Sequence, residues 1–248
     1  MNLNVHEASI LVKRISDLIQ VHREVEVAIA PSMLTLQPIS QQIDTRKISL
    51  AAQNAYYKDE GAYTGEVSFN MLRNLVKYVI VGHSERRIYF HEDLEVIRDK
   101  VTAAIRNDIS PVLCVGESHQ EKTEGETKRV IHDQVTTALS NLTAEDVEKV
   151  VIAYEPVWAI STFGGELAKP SVVKPIIDLI RYNVKELYGE KAAASLRIIY
   201  GGSVDDQTAP GYLEIEGVNG LLPGSASLNY HKFSEIVNSA YRLTHKKP

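Results

Sequence analysis

The chain has 248 residues, of which 44% are hydrophobic and 24% charged, with a net charge of −5. That length buries a sizeable core, and the acidic balance excludes the basic surface that non-specific nucleic-acid binding needs. With one cysteine, Cys114, no apolar run of ~18 residues and no signal-peptide pattern at the start, the expectation is a cytoplasmic protein without disulfides or membrane spans.

In chain order, a helical pattern comes first, with Leu11, Ile15, Leu18 and Ile19 on one stripe. Strand candidates follow at residues 25–30, 48–53, 78–82, 111–116, 150–154, 196–200 and 220–222. Most are nearly continuous apolar runs, as in Tyr78-Val79-Ile80-Val81, which is how strands buried on both faces of a parallel sheet read. Amphipathic helical patterns lie between them. Leu94, Ile97, Val101, Ala104 and Ile105 share one face, and Phe233, Ile236, Val237 and Ala240 share another. His91 and His132 fall on helical patterns and read as surface residues, whereas Cys114 reads as core. Seven strands and eight helix-length segments make an α/β chain that opens on a helix. The repeat suits a closed barrel or an open doubly wound sheet, and residues 1–248 read as one domain. No G-x-G-x-x-G follows the first strand, which weakens a dinucleotide-binding reading.

Polar clusters follow several strand ends. In Val81-Gly82-His83-Ser84-Glu85-Arg86-Arg87 a histidine precedes a helix N-terminus, whose dipole favours the neutral imidazole. Read alone, the segment is equally a surface loop with an Arg–Glu pair. Glu155, in Ala153-Tyr154-Glu155-Pro156-Val157-Trp158-Ala159-Ile160, directly follows a buried strand, where desolvation strengthens a carboxylate as a base; a strand-end acid capping a loop is the alternative. The small residues of Ser161-Thr162-Phe163-Gly164-Gly165 suit a mobile lid. The turns Tyr200-Gly201-Gly202-Ser203-Val204 and Leu222-Pro223-Gly224-Ser225-Ala226-Ser227 can offer backbone N–H groups to a phosphate. No His/Cys/Asp cluster has metal-ligand spacing, so no metal is expected.

Taken together these segments resemble the triosephosphate isomerase family. The match includes the Glu155 and His83 motifs, Leu113-Cys114-Val115-Gly116-Glu117, the turn at Tyr200, and Gly61-Ala62-Tyr63-Thr64-Gly65-Glu66-Val67-Ser68 preceded by Ala52-Gln53-Asn54. The resemblance runs to about residue 243. It implies a TIM (β/α)8 barrel and a cofactor-free isomerase that interconverts dihydroxyacetone phosphate and glyceraldehyde 3-phosphate. It also implies Glu155 as base, His83 as electrophile and proton shuttle, and Glu85 in support. The phosphate would rest on backbone N–H groups near Ser161, Ser203, Gly224 and Ser225, and the loop bearing Thr64 would enter the partner in a homodimer.

Departures from the family pattern carry their own expectations. Family members open on a strand ending like Asn-x-Lys-Met-Asn, whereas this sequence begins Met1-Asn2. The expectation is a barrel lacking its first strand and its catalytic lysine, which Lys13 on the first helix does not replace. Such a chain should turn over slowly and dimerise weakly. Ser161-Thr162-Phe163 in the lid and Pro223-Gly224-Ser225 in the last phosphate turn also differ from family usage, which bears on lid kinetics and phosphate affinity. A non-catalytic, barrel-like anion-binding scaffold is the alternative reading.

Overall fold

The computed structural model describes residues 1–21, 23–160, 163 and 165–244. The seven strands are β1 (Ala28–Ile29), β2 (Ser49–Ala52), β3 (Tyr78–Val81), β4 (Ser110–Val115), β5 (Val151–Tyr154), β6 (Arg197–Tyr200) and β7 (Gly220–Leu221). They form one parallel sheet in sequence order, so each strand pairs with the next through a helical crossover. The principal helices are α1 (Val5–Leu18), α2 (Met33–Ser40), α5 (Leu94–Arg106), α7 (Thr127–Leu139), α9 (Pro170–Ser195) and α11 (Tyr230–Thr244); shorter ones are α3 (Phe69–Leu72), α4 (Ser84–Tyr89), α6 (His119–Thr123), α8 (Ala144–Val147) and α10 (Ala209–Leu213). These single turns raise the helix count above the expected eight, because they are too short to register as a periodic stripe.

Helix starts follow local chemistry. The Asn4 side chain accepts from the Glu7 amide while Glu7 accepts from the Asn4 amide, a reciprocal cap repeated by Ser118 with Glu121 and Thr143 with Asp146. Asp93 caps α5 through the Val96 amide, and Pro170 begins α9. Strand residues alternate between two cores. Tyr78, Val112, Cys114, Val151 and Ala153 face the interior of the curl. Val79, Val81, Leu113, Val115, Ile152 and Tyr154 face the helices.

The strand at residues 25–30 shortens to Ala28–Ile29, since β1 is an edge that pairs only with β2. Among the described residues β1 and β7 do not pair with each other, so the sheet curls without closing. A cavity of about 1790 Å³ runs from the carboxyl ends of the strands into the space between those edges, where Leu11 and Ile15 of α1 and Phe233 and Val237 of α11 line it. His91 is not helical: it lies between α4 and α5 with φ 54°, whereas His132 is an exposed residue of α7 bonded to Asn183.

Candidate active site

Glu155 directly follows β5 and is 4% exposed. Its amide donates to the Val115 carbonyl at 2.7 Å, extending the β4–β5 ladder by one residue and fixing where its side chain begins. The carboxylate turns towards the end of β3. Oε1 lies 2.9 Å from His83 Nε2, and Oε2 accepts from the Ser84 amide at 3.2 Å. His83 reaches this point because Gly82 turns the chain with φ 71°, a conformation that favours glycine. Arg87 then ties the turn to the neighbouring strand, donating to the carbonyls of Gly82 (2.7 Å) and Cys114 (3.0 Å).

His83 is the N-cap of α4, and its Nδ1 accepts from the Glu85 amide at 3.3 Å. A proton on Nδ1 would face that N–H, so the bond places the ring proton on Nε2, facing Glu155. Burial lowers the imidazole pKa, but the bond to Glu155 and its charge outweigh burial and leave it raised above the ordinary histidine value. The Glu85 side chain is 47% exposed, and its Oε2 stands 3.9 Å from Nδ1. Its contribution to His83 is therefore the backbone donor more than the carboxylate.

His83, Glu85, Glu155, Ser203, Gly224 and Ser225 all line the large cavity. Gly201 brings the strand ends together: a Cβ there would lie 3.6 Å from Glu155 Cβ and 3.5 Å from Leu222 Cβ. Gly224 caps the 3₁₀ turn Ser225–Leu228, and among the described residues no partner is found for the amides of Gly224 and Ser225. Ser203 differs, since its amide (2.9 Å) and its Oγ (2.7 Å) both donate to the Ala159 carbonyl. Ser161 lies outside the described residues, as do Thr162 and Gly164 of the expected lid. Phe163 of that segment rests with its ring centroid 5.9 Å from that of Tyr89. Thr64 is exposed on the loop between β2 and α3 and does not line the cavity.

Known proteins resemble this chain over most of its length. The family model described as triosephosphate isomerase matches residues 1–240. Curated relatives described as triosephosphate isomerase include those of Chloroherpeton thalassium (49% identical over 216 residues, 87% of this chain and 85% of the relative) and Clostridium tetani (45% over 230 residues, 92% and 89%). That of Caldanaerobacter subterraneus is 42% identical over 241 residues, 96% of each chain. The chain belongs to the triosephosphate isomerase family. Like the barrels of that fold class, this member collects its polar residues at the carboxyl ends of parallel strands.

Several contacts around the candidate site join residues whose pairing no local pattern announces, although some of them lie in the quoted motifs. Glu117, after β4, accepts from Trp158 Nε1 at 2.8 Å and from the Tyr154 hydroxyl, and burial raises its pKa despite those bonds. Lys122 covers the Trp158 ring at 3.2 Å. Gln134 of α7 bonds both polar groups of Gly116. Among the described residues the buried Ser84 Oγ has no hydrogen-bond partner.

Proposed function

We propose that this family member interconverts dihydroxyacetone phosphate and glyceraldehyde 3-phosphate without a cofactor, using Glu155 and His83. The observation that carries the reading is the 2.9 Å contact between a buried carboxylate and Nε2 of a histidine whose other nitrogen accepts from a helix amide. In the reaction one Glu155 oxygen leaves its present partner and takes the proton from the carbon beside the substrate carbonyl. The electron pair moves onto the carbonyl oxygen, which His83 Nε2–H stabilises as the enediolate forms. Glu155 returns the proton to the neighbouring carbon, and His83 moves the proton between the two oxygens. The substrate phosphate rests on the amides of Gly224 and Ser225, with Ser161 as a further donor. Ser203 joins them once its bonds to Ala159 exchange.

Among the described residues, no lysine or arginine lies within salt-bridge distance of Glu155. Slow turnover belongs to the same proposal, since a site without a preorganised cation at the reacting oxygens turns over about 100-fold or more below one that has it. A homodimer through the exposed Thr64 loop, with Tyr63 41% exposed beside it, belongs to the same proposal. So does a cytoplasmic location; among the described residues no helix is long and apolar enough to cross a membrane. The test is conversion of dihydroxyacetone phosphate to glyceraldehyde 3-phosphate by the purified chain. Turnover that Glu155→Gln abolishes supports the reading. Phosphate binding with no turnover above the Glu155→Gln background would point instead to the anion-binding scaffold.

A further inference from the structure

Gly116 follows β4 where the ladder to β5 is ending, and its two backbone groups find their partners on a helix. Its amide donates to Gln134 Oε1 at 2.8 Å, and its carbonyl accepts from Gln134 Nε2 at 3.0 Å. The side-chain amide is the right group for this, since it offers one acceptor and one donor in a single plane. Gln134 lies on α7 and is 8% exposed. On the other side, Gly116 sits directly against the catalytic backbone: a Cβ built on it would lie 1.9 Å from the Glu155 carbonyl oxygen and 2.5 Å from its carbon. The residues flanking Gly116 hold the same stretch, because Val115 O accepts from Glu155 N at 2.7 Å and Glu117 O accepts from Val157 N at 3.0 Å. Neither Gly116 nor Gln134 lines the cavity.

We propose that Gln134 is a positioning residue for the reaction: it clamps the Gly116 peptide, which in turn sets the backbone of Glu155 and hence where its carboxylate stands. This rests on the reading of Glu155 as the base. The contact has no slack, because Gly116 meets Glu155 through main-chain atoms and no flexible side chain intervenes. A shift of the Gly116 peptide therefore moves the Glu155 backbone with it. Misplacing a reacting group by about 1 Å costs roughly 100-fold in rate, even when the substituted residue is far from the chemistry.

The test compares the parent chain with Gln134→Met, Gln134→Glu and Glu155→Gln, at temperatures where circular dichroism shows each folded. Gln134→Met keeps the volume and loses both hydrogen bonds. It should lower kcat about 10- to 100-fold with KM within about twofold, since the phosphate contacts are untouched. Gln134→Glu supplies the discriminating signal. Ionised, it cannot donate to the Gly116 carbonyl; protonated, it again offers one donor and one acceptor. Its kcat relative to the parent should therefore rise as pH falls, whereas a role confined to packing predicts a flat ratio. Carbon-13 NMR of labelled glutamate reads the Glu155 carboxyl directly, and its resonance should move in Gln134→Met whether or not turnover is fast. A parent-like kcat, a flat pH ratio or an unmoved Glu155 resonance would overturn the clamp. Equal turnover by the parent and Glu155→Gln would instead overturn the assignment of the base.

Discussion

The two ends of the parallel sheet treat a carboxylate in opposite ways. At the amino ends of the strands, Glu26 accepts from Lys77 (2.5 Å), the Tyr78 hydroxyl (2.8 Å) and Ser49 Oγ (3.1 Å), and Arg197 donates to the same Tyr78 hydroxyl (3.2 Å). The charge there is met by one cation, Lys77, and held by three donors. At the carboxyl ends Glu155 meets a histidine and one amide, and among the described residues the amides of the cavity-lining Gly224 and Ser225 stand without partners. Buried polar groups are ordinarily satisfied, so the end with spare donors is the one prepared for a polar guest. The contrast teaches that a half-exposed carboxylate matched by a cation and hydroxyls serves stability at one end, whereas at the other a buried carboxylate faces only a histidine and an amide, as the proposed base requires.

The largest effect that could break this comparison is at Glu155. Glu155→Gln keeps the shape but removes the base, so kcat should fall by roughly 10³- to 10⁴-fold with little change in the urea midpoint. The same substitution removes the anion that raises the His83 pKa, so imidazole NMR should show His83 titrating at lower pH than in the parent. An unchanged His83 titration would mean the two side chains are not in contact in solution.

A second prediction concerns Glu92, a buried carboxylate at the same end that behaves like those of the opposite end. It accepts from Lys100 and from Arg86, each at 2.5 Å, and Lys100 also donates to Asn54 at 2.7 Å. Burial lowers the Lys100 pKa in spite of the Glu92 charge. Lys100→Met strips one cation from a buried anion and should cost about 3–5 kcal/mol in urea unfolding. A loss below about 1 kcal/mol would show that Arg86 alone suffices for the Glu92 charge.

Smaller effects sharpen the amino end. Burial would raise the Glu26 pKa, but its hydrogen bonds from Lys77 and Tyr78 outweigh burial and hold it below the ordinary value. A carboxyl whose folded pKa is depressed adds stability above its unfolded pKa of 4.5 and loses it as pH falls through the lower folded value. Glu26→Gln should therefore cost about 1 kcal/mol at neutral pH once solvent screening of this partly exposed group is discounted, and less in acid, with kcat unchanged. A fall in kcat would show that the two ends are coupled. Smallest is Asp93→Ala, which removes the α5 cap at Val96 (2.8 Å) and should cost about 0.5–1 kcal/mol in the same unfolding measurement, again without changing kcat.

Much of this was legible in the residues. The apolar runs marked all seven strands, and their boundaries erred most where pairing is one-sided, as at residues 25–30, because no local pattern records which neighbour a strand lacks. Cys114 was legible as core, since it alternates with Leu113 and Val115 inside a strand. His91 is exposed, as expected, but not helical, because its left-handed φ depends on the turn joining α4 to α5, not on apolar spacing. Glu85 was expected only in support of the site, and the residues alone could not tell that its amide stands at 3.3 Å from His83 Nδ1 and its carboxylate at 3.9 Å.

By itself the sequence determined the parallel α/β architecture, the family, and which residues stand at strand ends, because apolar periodicity and turn chemistry are written locally. Only the tertiary structure decided the pairings. It brought Ser84 to Glu155 across 71 residues, gave the Ser203 amide to Ala159, and set Gln134 against Gly116. A hydrogen bond depends on where two distant segments come to lie, and that is fixed by how helices and strands pack together, not by either segment alone.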